Sequence, residues 1–169
     1  MQFWIGGEPV SSARPRAFAI KGKGGKSTAR VHKGGGKKLA AWEALVKQAA
    51  HAAATDRASP VWGRGLPLAV TICFYIRRPL YHYVGNNRDG RPLKPASPQI
   101  HTHTPDIDNL MKAVLDACSS ILWHDDRQIG RIECTSLYTN DDTPGCWIRV
   151  TNFTDGQADF IRRRNTDEQ

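Results

Sequence analysis

Residues Thr104–Ile129 read TPDIDNLMKAVLDACSSILWHDDRQI, and they combine a helical pattern with the entrance of a strand. Pro105 suits the first position of a helix, and Thr104 before it is a suitable cap. The apolar positions that we expect to face the core are Leu110, Val114 and Ala117. After the helix, apolar residues 121–123 would hold the next residues at the start of a strand. This segment therefore predicts a helix–strand unit.

Aspartates crowd into the same segment, and they are Asp106, Asp108, Asp116, Asp125 and Asp126. Carboxylates a few ångströms apart raise one another's pKa, so such a cluster is costly unless a cation lies among them. Carboxylate oxygens prefer hard ions, which predicts a Mg²⁺ site that also accepts Mn²⁺. Asp106 and Asp108 would converge at the start of the helix, and a carboxylate from the strand entrance would complete the site. Phosphoryl chemistry is the usual work of such sites.

Each of these residues also has a purely structural interpretation. Asp106 and Asp108 are typical of helix N-terminal acids, and Asp125 with Asp126 is typical of a solvated turn. Lys112 and Asp116 lie four residues apart, and such a pair more often stabilises a helix than takes part in catalysis.

The remaining pattern predicts one domain of mixed α/β (α+β) type. We expect a helix over 38–55 and strands over 2–5, 17–20, 68–77, 128–138 and 146–153. The strand over 68–77 is almost continuously apolar, so we expect it at the centre of a mixed sheet with both faces buried. The last two strands are expected to be antiparallel and joined by a turn at 140–145. The domain would cover 1–153, followed by a frayed tail over 154–169.

Positive charge is concentrated near the N-terminus. The formal net charge is +8 and the pI is about 9.6, which favours a polyanionic partner. Residues 14–38 contain nine Lys or Arg and no acid, and residues 22–37 read as a flexible Gly/Lys loop. The predicted phosphate contacts, which would be DNA contacts if the partner is DNA, are Arg14, Arg16, Lys21, Lys23, Lys26, Arg30, Lys33 and Lys37. We call residues 14–38 the basic arm.

Other classes of protein are disfavoured. The string Gly25-Lys26-Ser27 lacks the upstream glycine of a P-loop, since position 20 is Ile20, so no nucleotide cofactor is expected. No apolar run is long enough for a membrane span, and no signal peptide is recognisable. The four cysteines show no CxxC pair, which disfavours a zinc site or a disulfide framework and favours a reducing cytoplasm.

Three blocks of the sequence resemble the RusA family of Holliday-junction resolvases. They are Pro105-Asp106-Ile107-Asp108-Asn109-Leu110, then Lys112 with Leu115-Asp116-Ala117, then Trp123 with Asp125-Asp126-Arg127-Gln128-Ile129. Outlying features fit the same family, and they are Arg14-Pro15-Arg16, Phe74, Arg78-Pro79 and Lys94-Pro95. The Gly/Lys loop and the tail depart from the compact members.

The resemblance implies a small α/β homodimer of bacterial or prophage origin. It implies a crossover junction endodeoxyribonuclease that cuts opposing strands of a four-way DNA junction with Mg²⁺ or Mn²⁺. The family's catalytic aspartates fall on Asp106, Asp108 and Asp126, and its essential lysine falls on Lys112. Asp125 stands beside the matched acid as a further candidate ligand. Two alternatives stay open: a noncatalytic protein that binds branched DNA, and a nuclease that prefers flaps or forks.

Overall fold

The computed structural model describes residues 1–12, 16–21, 27–32, 36–55, 61–86, 88 and 90–159, with the backbone alone for 16–21 and 27–32. Its strands are β1 (Gln2–Gly6), β2 (Arg16–Lys21), β3 (Ser27–His32), β4 (Leu68–Ile76), β5 (Ile129–Tyr138) and β6 (Gly145–Asn152). The two main helices in these ranges are α1 (Gly36–Ala54) and α2 (Ile107–Cys118), and short 3₁₀ turns cover Leu80–His82, Val84–Asn86 and Asp126–Gln128. The chain is a single small α+β domain, as the sequence predicts.

One mixed sheet carries the domain. Its strand order is β1–β6–β4–β5, and β2 pairs with β3 in a separate antiparallel ribbon. The predicted central position of β4 is confirmed, with β6 antiparallel on one side and β5 parallel on the other. The expected pairing of the last two strands is wrong: β5 and β6 run in opposite directions, but β4 lies between them. Both strands instead pair with the apolar strand β4.

The sheet buries one face. Alternate residues of β4 are fully buried, and they are Leu68, Val70, Ile72, Phe74 and Ile76. The residues between them are half-buried, so the expectation that β4 is covered on both faces is wrong. The buried side chains of α1 and α2 join the same core cluster, which means that the two main helices cover the same face.

The helices bury stripes of different width. The buried residues of α1 are Trp42, Val46, Ala50 and Ala54, at intervals of four. Leu45 recurs with Trp42 and Val46 at helical spacing, but it is 41% exposed because the buried residues follow one another at intervals of four and leave it to one side. The predicted core face of α2 is confirmed, since Leu110, Val114 and Ala117 are buried.

The start of α2 differs from the prediction. Asp106 is the N-cap, with an extended backbone, and Ile107 is the first helical residue. Pro105 and Thr104 therefore precede the cap, and neither has the helical role that the sequence suggests. The acid at position 106 is thus fixed at the helix start.

Two further segments carry structure that the sequence does not predict. β3 lies inside the Gly/Lys loop, where pairing with β2 satisfies the backbone groups along one of its edges; residues 22–26 and 33–35 lie outside the described residues. Residues 155–159 of the predicted frayed tail are helical, and Ala158 donates its N–H to the Thr154 carbonyl at 3.1 Å. Residues 160–169 also lie outside the described ranges. In those ranges, no helix has the length and hydropathy needed to cross a bilayer.

A buried arginine fixes the long connection after β4. Arg78 is fully buried, and its Nε donates to the Thr139 carbonyl at 3.1 Å. Nη1 donates to the Pro98 carbonyl at 2.7 Å, and Nη2 donates to Gln99 Oε1 at 2.9 Å and Asn140 Oδ1 at 2.8 Å. All four acceptors are neutral, so the guanidinium is held by hydrogen bonds rather than by a carboxylate. Arg78 thus joins the end of β4 to residues 98–99 and to residues 139–140.

We predict that Arg78→Met lowers the free energy of unfolding by about 3 to 5 kcal/mol, because buried acceptors lose their donors. Arg77→Met is the matched control, since Arg77 is 43% exposed and pairs with Glu8 at 3.2 Å. The control should change stability by no more than about 1 kcal/mol. Urea unfolding measures both values, and equal small losses would contradict the role assigned to Arg78.

Candidate active site

A groove of about 510 Å³ lies between the start of α2 and the outer edge of β5. It is lined by residues 100–103, 105–107 and 134–137. The segment before α2 closes onto β5, because His101 donates its N–H to the Ser136 carbonyl at 3.0 Å and Tyr138 donates to the Gln99 carbonyl at 2.9 Å. The groove therefore has a fixed wall on either side.

Asp106 lines this groove and is exposed. Its carboxylate makes no capping hydrogen bond to α2, although its position is that of the N-cap. The N-terminal chain also passes here, since Ser12 donates its N–H to the Asn109 carbonyl at 2.9 Å. Ser12, two residues before the basic arm in the sequence, thus lies at the first turn of α2.

The charged face of α2 is exposed. Asp108, Lys112 and Asp116 occupy it, as the helical spacing predicts. Lys112 Nζ lies 3.2 Å from Asp116 Oδ2, so the expected structural pair is present. Both side chains are about half exposed, which makes the pair weak and leaves the ammonium accessible to an anion from solvent.

Asp126 is positioned by a core residue. Trp123 is fully buried, and its Nε1 donates to Asp126 Oδ1 at 2.7 Å. The carboxylate itself is exposed. Cys118 is the last residue of α2. Its burial and, as the smaller cause, the nearby charge of Asp126 raise the pKa of the Cys118 thiol to about 12. Asp126 therefore lies towards the C-terminal end of α2, whereas Asp106 lies at its start.

Asp125 has a different set of contacts. It accepts hydrogen bonds from the Arg127 backbone at 2.9 Å and from the Arg127 guanidinium at 2.7 and 3.0 Å. These bonds hold the pKa of the Asp125 carboxyl at about 2. Asp125 also caps the 3₁₀ turn that contains Asp126, with Gln128 as the reciprocal partner. Its contacts are those of a residue that shapes the turn.

The acids are not gathered into one cluster. Among the described residues, no group of three or more His, Cys, Asp or Glu side chains is arranged to hold a metal ion. Asp106 and Asp108 lie at the start of α2, and Asp126 lies in the turn before β5. The convergence of all three on one ion stays a prediction.

Most of the predicted DNA-contacting residues cannot be placed in detail. Arg14, Lys23, Lys26 and Lys33 lie outside the described residues, and Arg16, Lys21 and Arg30 belong to β2 or β3, where only the backbone is described. Lys37 is described, and it is exposed in the first turn of α1. Their role as DNA contacts stays a prediction.

His101 is buried beside the groove. The Thr-rich run that holds His101 and His103 favours DNA-facing or exposed histidines, and His103 is exposed. His101, in contrast, is 8% exposed and its Nδ1 lies 3.1 Å from Ser136 Oγ. The Tyr138 ring makes edge contacts with both His82 and His101, at centroid separations of 4.8 and 5.1 Å. Because Tyr138 is distant in sequence, no local pattern reveals this cluster.

We predict that Trp123→Phe costs about 1 to 2 kcal/mol more stability than Trp42→Phe. Both tryptophans are buried, but Trp42 Nε1 has no hydrogen-bond partner among the described residues, whereas Trp123 Nε1 binds a carboxylate. The same substitution at each site therefore isolates that hydrogen bond. Urea unfolding of the two variants measures the difference, and equal losses would show that the Asp126 contact contributes nothing to stability.

Stability should fall as the pH drops from 7.5 to 5.5. Burial lowers the pKa of His82 and of His101, and the Arg78 charge lowers that of His82 further. The native state favours the neutral rings, while the unfolded chain takes up protons near the ordinary pKa of about 6.5. A histidine with a lowered pKa thus favours the native state above that value and disfavours it below. The urea midpoint should fall less between these two pH values in the double variant His82→Gln/His101→Gln than in the parent protein. An equal fall in both proteins would show that these histidines do not cause the pH dependence.

A comparison with known protein families matches the part of the chain that forms the sheet and the candidate site. The model of the family described as Endodeoxyribonuclease RusA matches residues 6–151. No curated protein matches the chain. The matched range extends from the end of β1 almost to the end of β6, and it includes the groove, α2 and the turn that holds Asp126. Since the match covers most of the 169 residues, the chain belongs to the RusA family of endodeoxyribonucleases.

Proposed function

We propose that this protein is a metal-dependent, structure-specific endodeoxyribonuclease that resolves Holliday junctions by paired, symmetric cleavage. Membership of the RusA family carries the coarser part of this proposal, an endodeoxyribonuclease that acts on junction DNA. The observation that supports the finer part is that Asp106, Asp108, Lys112 and Asp126 are all present in the matched range. A protein that only bound DNA would gain nothing from exposed acids beside a polyanion.

The proposed cofactor is Mg²⁺, for which Mn²⁺ can substitute. The donor chemistry of the chain fits these ions, since the candidate ligands are exposed carboxylates and Asp106 is not engaged by the helix cap. The proposed ligands are Asp106, Asp108 and Asp126. Because Asp126 lies towards the opposite end of α2, a shared ion requires its carboxylate to approach the start of the helix when the ion and DNA bind. A divalent ion at such a site supplies charge neutralisation for a phosphodiester and a more acidic bound water.

The chain's own residues would position DNA and balance its charge. Trp123 holds one oxygen of Asp126, which fixes the direction of that carboxylate. Lys112 lies one turn after Asp108 and presents an accessible ammonium. We propose that this ammonium stabilises the charge that develops on the phosphate in the transition state. Asp125 would contribute indirectly, by shaping the turn that holds Asp126.

The proposed partner is a four-way DNA junction bound by a homodimer. The Ser12–Asn109 hydrogen bond supports a role for the basic arm, because it holds the residue two positions before the arm beside the first turn of α2. Paired cleavage needs two active sites, and a homodimer provides them in a two-fold arrangement. The four cysteines are all free, which suits the proposed cytoplasmic location.

A labelled synthetic four-way junction in Mg²⁺ tests this function directly. We predict paired nicks at symmetric positions, and we predict that Asp108→Asn abolishes them while junction binding persists. Linear duplex, flap and fork substrates are the controls for structure preference. Tight junction binding without nicks in Mg²⁺ or Mn²⁺ would identify a noncatalytic binding protein, and faster cleavage of flaps or forks would replace the proposed substrate.

Substitution of Lys112 distinguishes catalysis from anchoring. We predict that Lys112→Ala slows single-turnover cleavage by about a hundredfold or more with little change in junction affinity, because its charge acts late in the reaction. Asp116→Asn is the matched control, since it breaks the ion pair with Lys112 and keeps the ammonium. Equal loss of cleavage rate and affinity in Lys112→Ala would recast this residue as a phosphate anchor.

A further inference from the structure

Three apolar side chains are exposed together on the connection after β4. Leu80 is 51% exposed, Tyr81 is 54% exposed and Val84 is 41% exposed. We call these residues the Tyr81 patch. Clustered exposed apolar residues in a folded protein often mark a binding surface.

Cations border the Tyr81 patch. Lys94 Nζ donates to the Tyr81 carbonyl at 2.7 Å and to Asn86 Oδ1 at 3.0 Å. The Arg91 guanidinium lies against Gly85, the residue after Val84, where an added Cβ would meet Nη1 at 3.1 Å. Between positions 77 and 94 the sequence has five Lys or Arg and one acid. An aromatic ring with a cationic border suits a polyanion that also has flat apolar faces.

The connection that carries the patch is well ordered by hydrogen bonds. Tyr83 and Leu93 form an antiparallel bridge, and Lys94 donates its N–H to the His82 carbonyl at 2.9 Å. The Arg88 guanidinium donates to the Arg78 carbonyl. The ring of Tyr81 is therefore presented by a fixed segment, which limits the entropy lost when a partner binds.

Ring contacts join the patch to the candidate active site. Tyr81 packs edge-on against His82 at 4.7 Å between centroids, and His82 packs against Tyr138, which in turn contacts His101. His101 and Asp106 line the same groove. Three ring contacts place Tyr81 no more than about four base-pair steps of 3.4 Å from His101, which lines the groove. This separation is within the span of DNA bound at the groove.

We propose that Tyr81 is a stacking platform for an unpaired nucleobase of the bound DNA, while Lys94 and Arg91 contact the adjacent phosphates. This inference rests on the proposed function, because it needs DNA in the groove. Stacking costs least where a base is already unpaired or easily unstacked, so the platform favours the branch point over continuous duplex. Tyr81 would thus help to select the structure of the substrate.

Junctions with 2-aminopurine at each nucleotide next to the branch point test this assignment in the cleavage-deficient Asp108→Asn background. Stacking on Tyr81 should change the fluorescence at one position, and Tyr81→Phe should preserve that change. Tyr81→Leu should abolish it and weaken junction binding by roughly five- to a hundredfold. Leu66→Ala, which removes an exposed apolar side chain elsewhere, is the control and should behave like the parent protein.

A second variant does not depend on the ring. Arg91→Gln should reduce the slope of log K against log salt by about 0.9, the value for one phosphate contact. Melting temperatures of all variants verify that they are folded.

The outcomes separate the inference from the function on which it rests. Junction binding in the Asp108→Asn background with equal behaviour of Tyr81→Leu and Tyr81→Phe would overturn the stacking platform and leave the proposed function intact. An unchanged salt slope in Arg91→Gln would overturn the phosphate contact. A lower molecular mass of free Tyr81→Leu with unaltered DNA binding would identify the patch as a contact between copies of the chain. Failure of every protein to bind the junction would overturn the proposed function itself.

Discussion

The parallel pairing of β4 with β5 is the constraint on which the site depends. Parallel neighbours cannot be joined by a tight turn, so the chain must cross back over the sheet before β5 can start. That crossing occupies residues 77–128, and it contains α2 and every candidate catalytic residue. Because α2 runs back along the sheet, the crossing places Asp106 at one end of the helix and Asp126 towards the other. The topology of the sheet thus determines which acids can be neighbours within one chain.

The part of the crossing that precedes α2 is held by polar and aromatic contacts. Arg78 binds neutral acceptors on both flanking segments, and its guanidinium lies 5.4 Å from the centroid of the Tyr138 ring. His82 and His101 pack edge-on against that ring from other directions. These contacts hold the segment that forms one wall of the groove. A charge without a carboxylate partner and two neutral histidines make this region sensitive to acidification, unlike the aliphatic core beneath the sheet.

The sequence predicts those features that depend on neighbouring residues. The helical spacing of α2 identifies its buried face and the Lys112–Asp116 pair, and the apolar character of β4 identifies the central strand. Sequence patterns fail to predict features that depend on contacts between residues distant in the chain. The strand order places β4 between β5 and β6, which no turn signal reveals, and the burial of His101 depends on Ser136. The N-cap at Asp106 shows the same limit on a smaller scale, since proline at the start of a helical pattern indicates a boundary without fixing its first residue.

The hydrogen bond between Trp123 and Asp126 gives one side chain a place in both the core and the candidate site. This has a practical consequence for protein engineering. A redesign that replaces Trp123 with an aliphatic residue would alter the orientation of Asp126 even if the new core were filled equally well. Thermostability and turnover are therefore coupled at this position. The half-buried face of β4, which lies opposite the helices, is a safer place for stabilising substitutions.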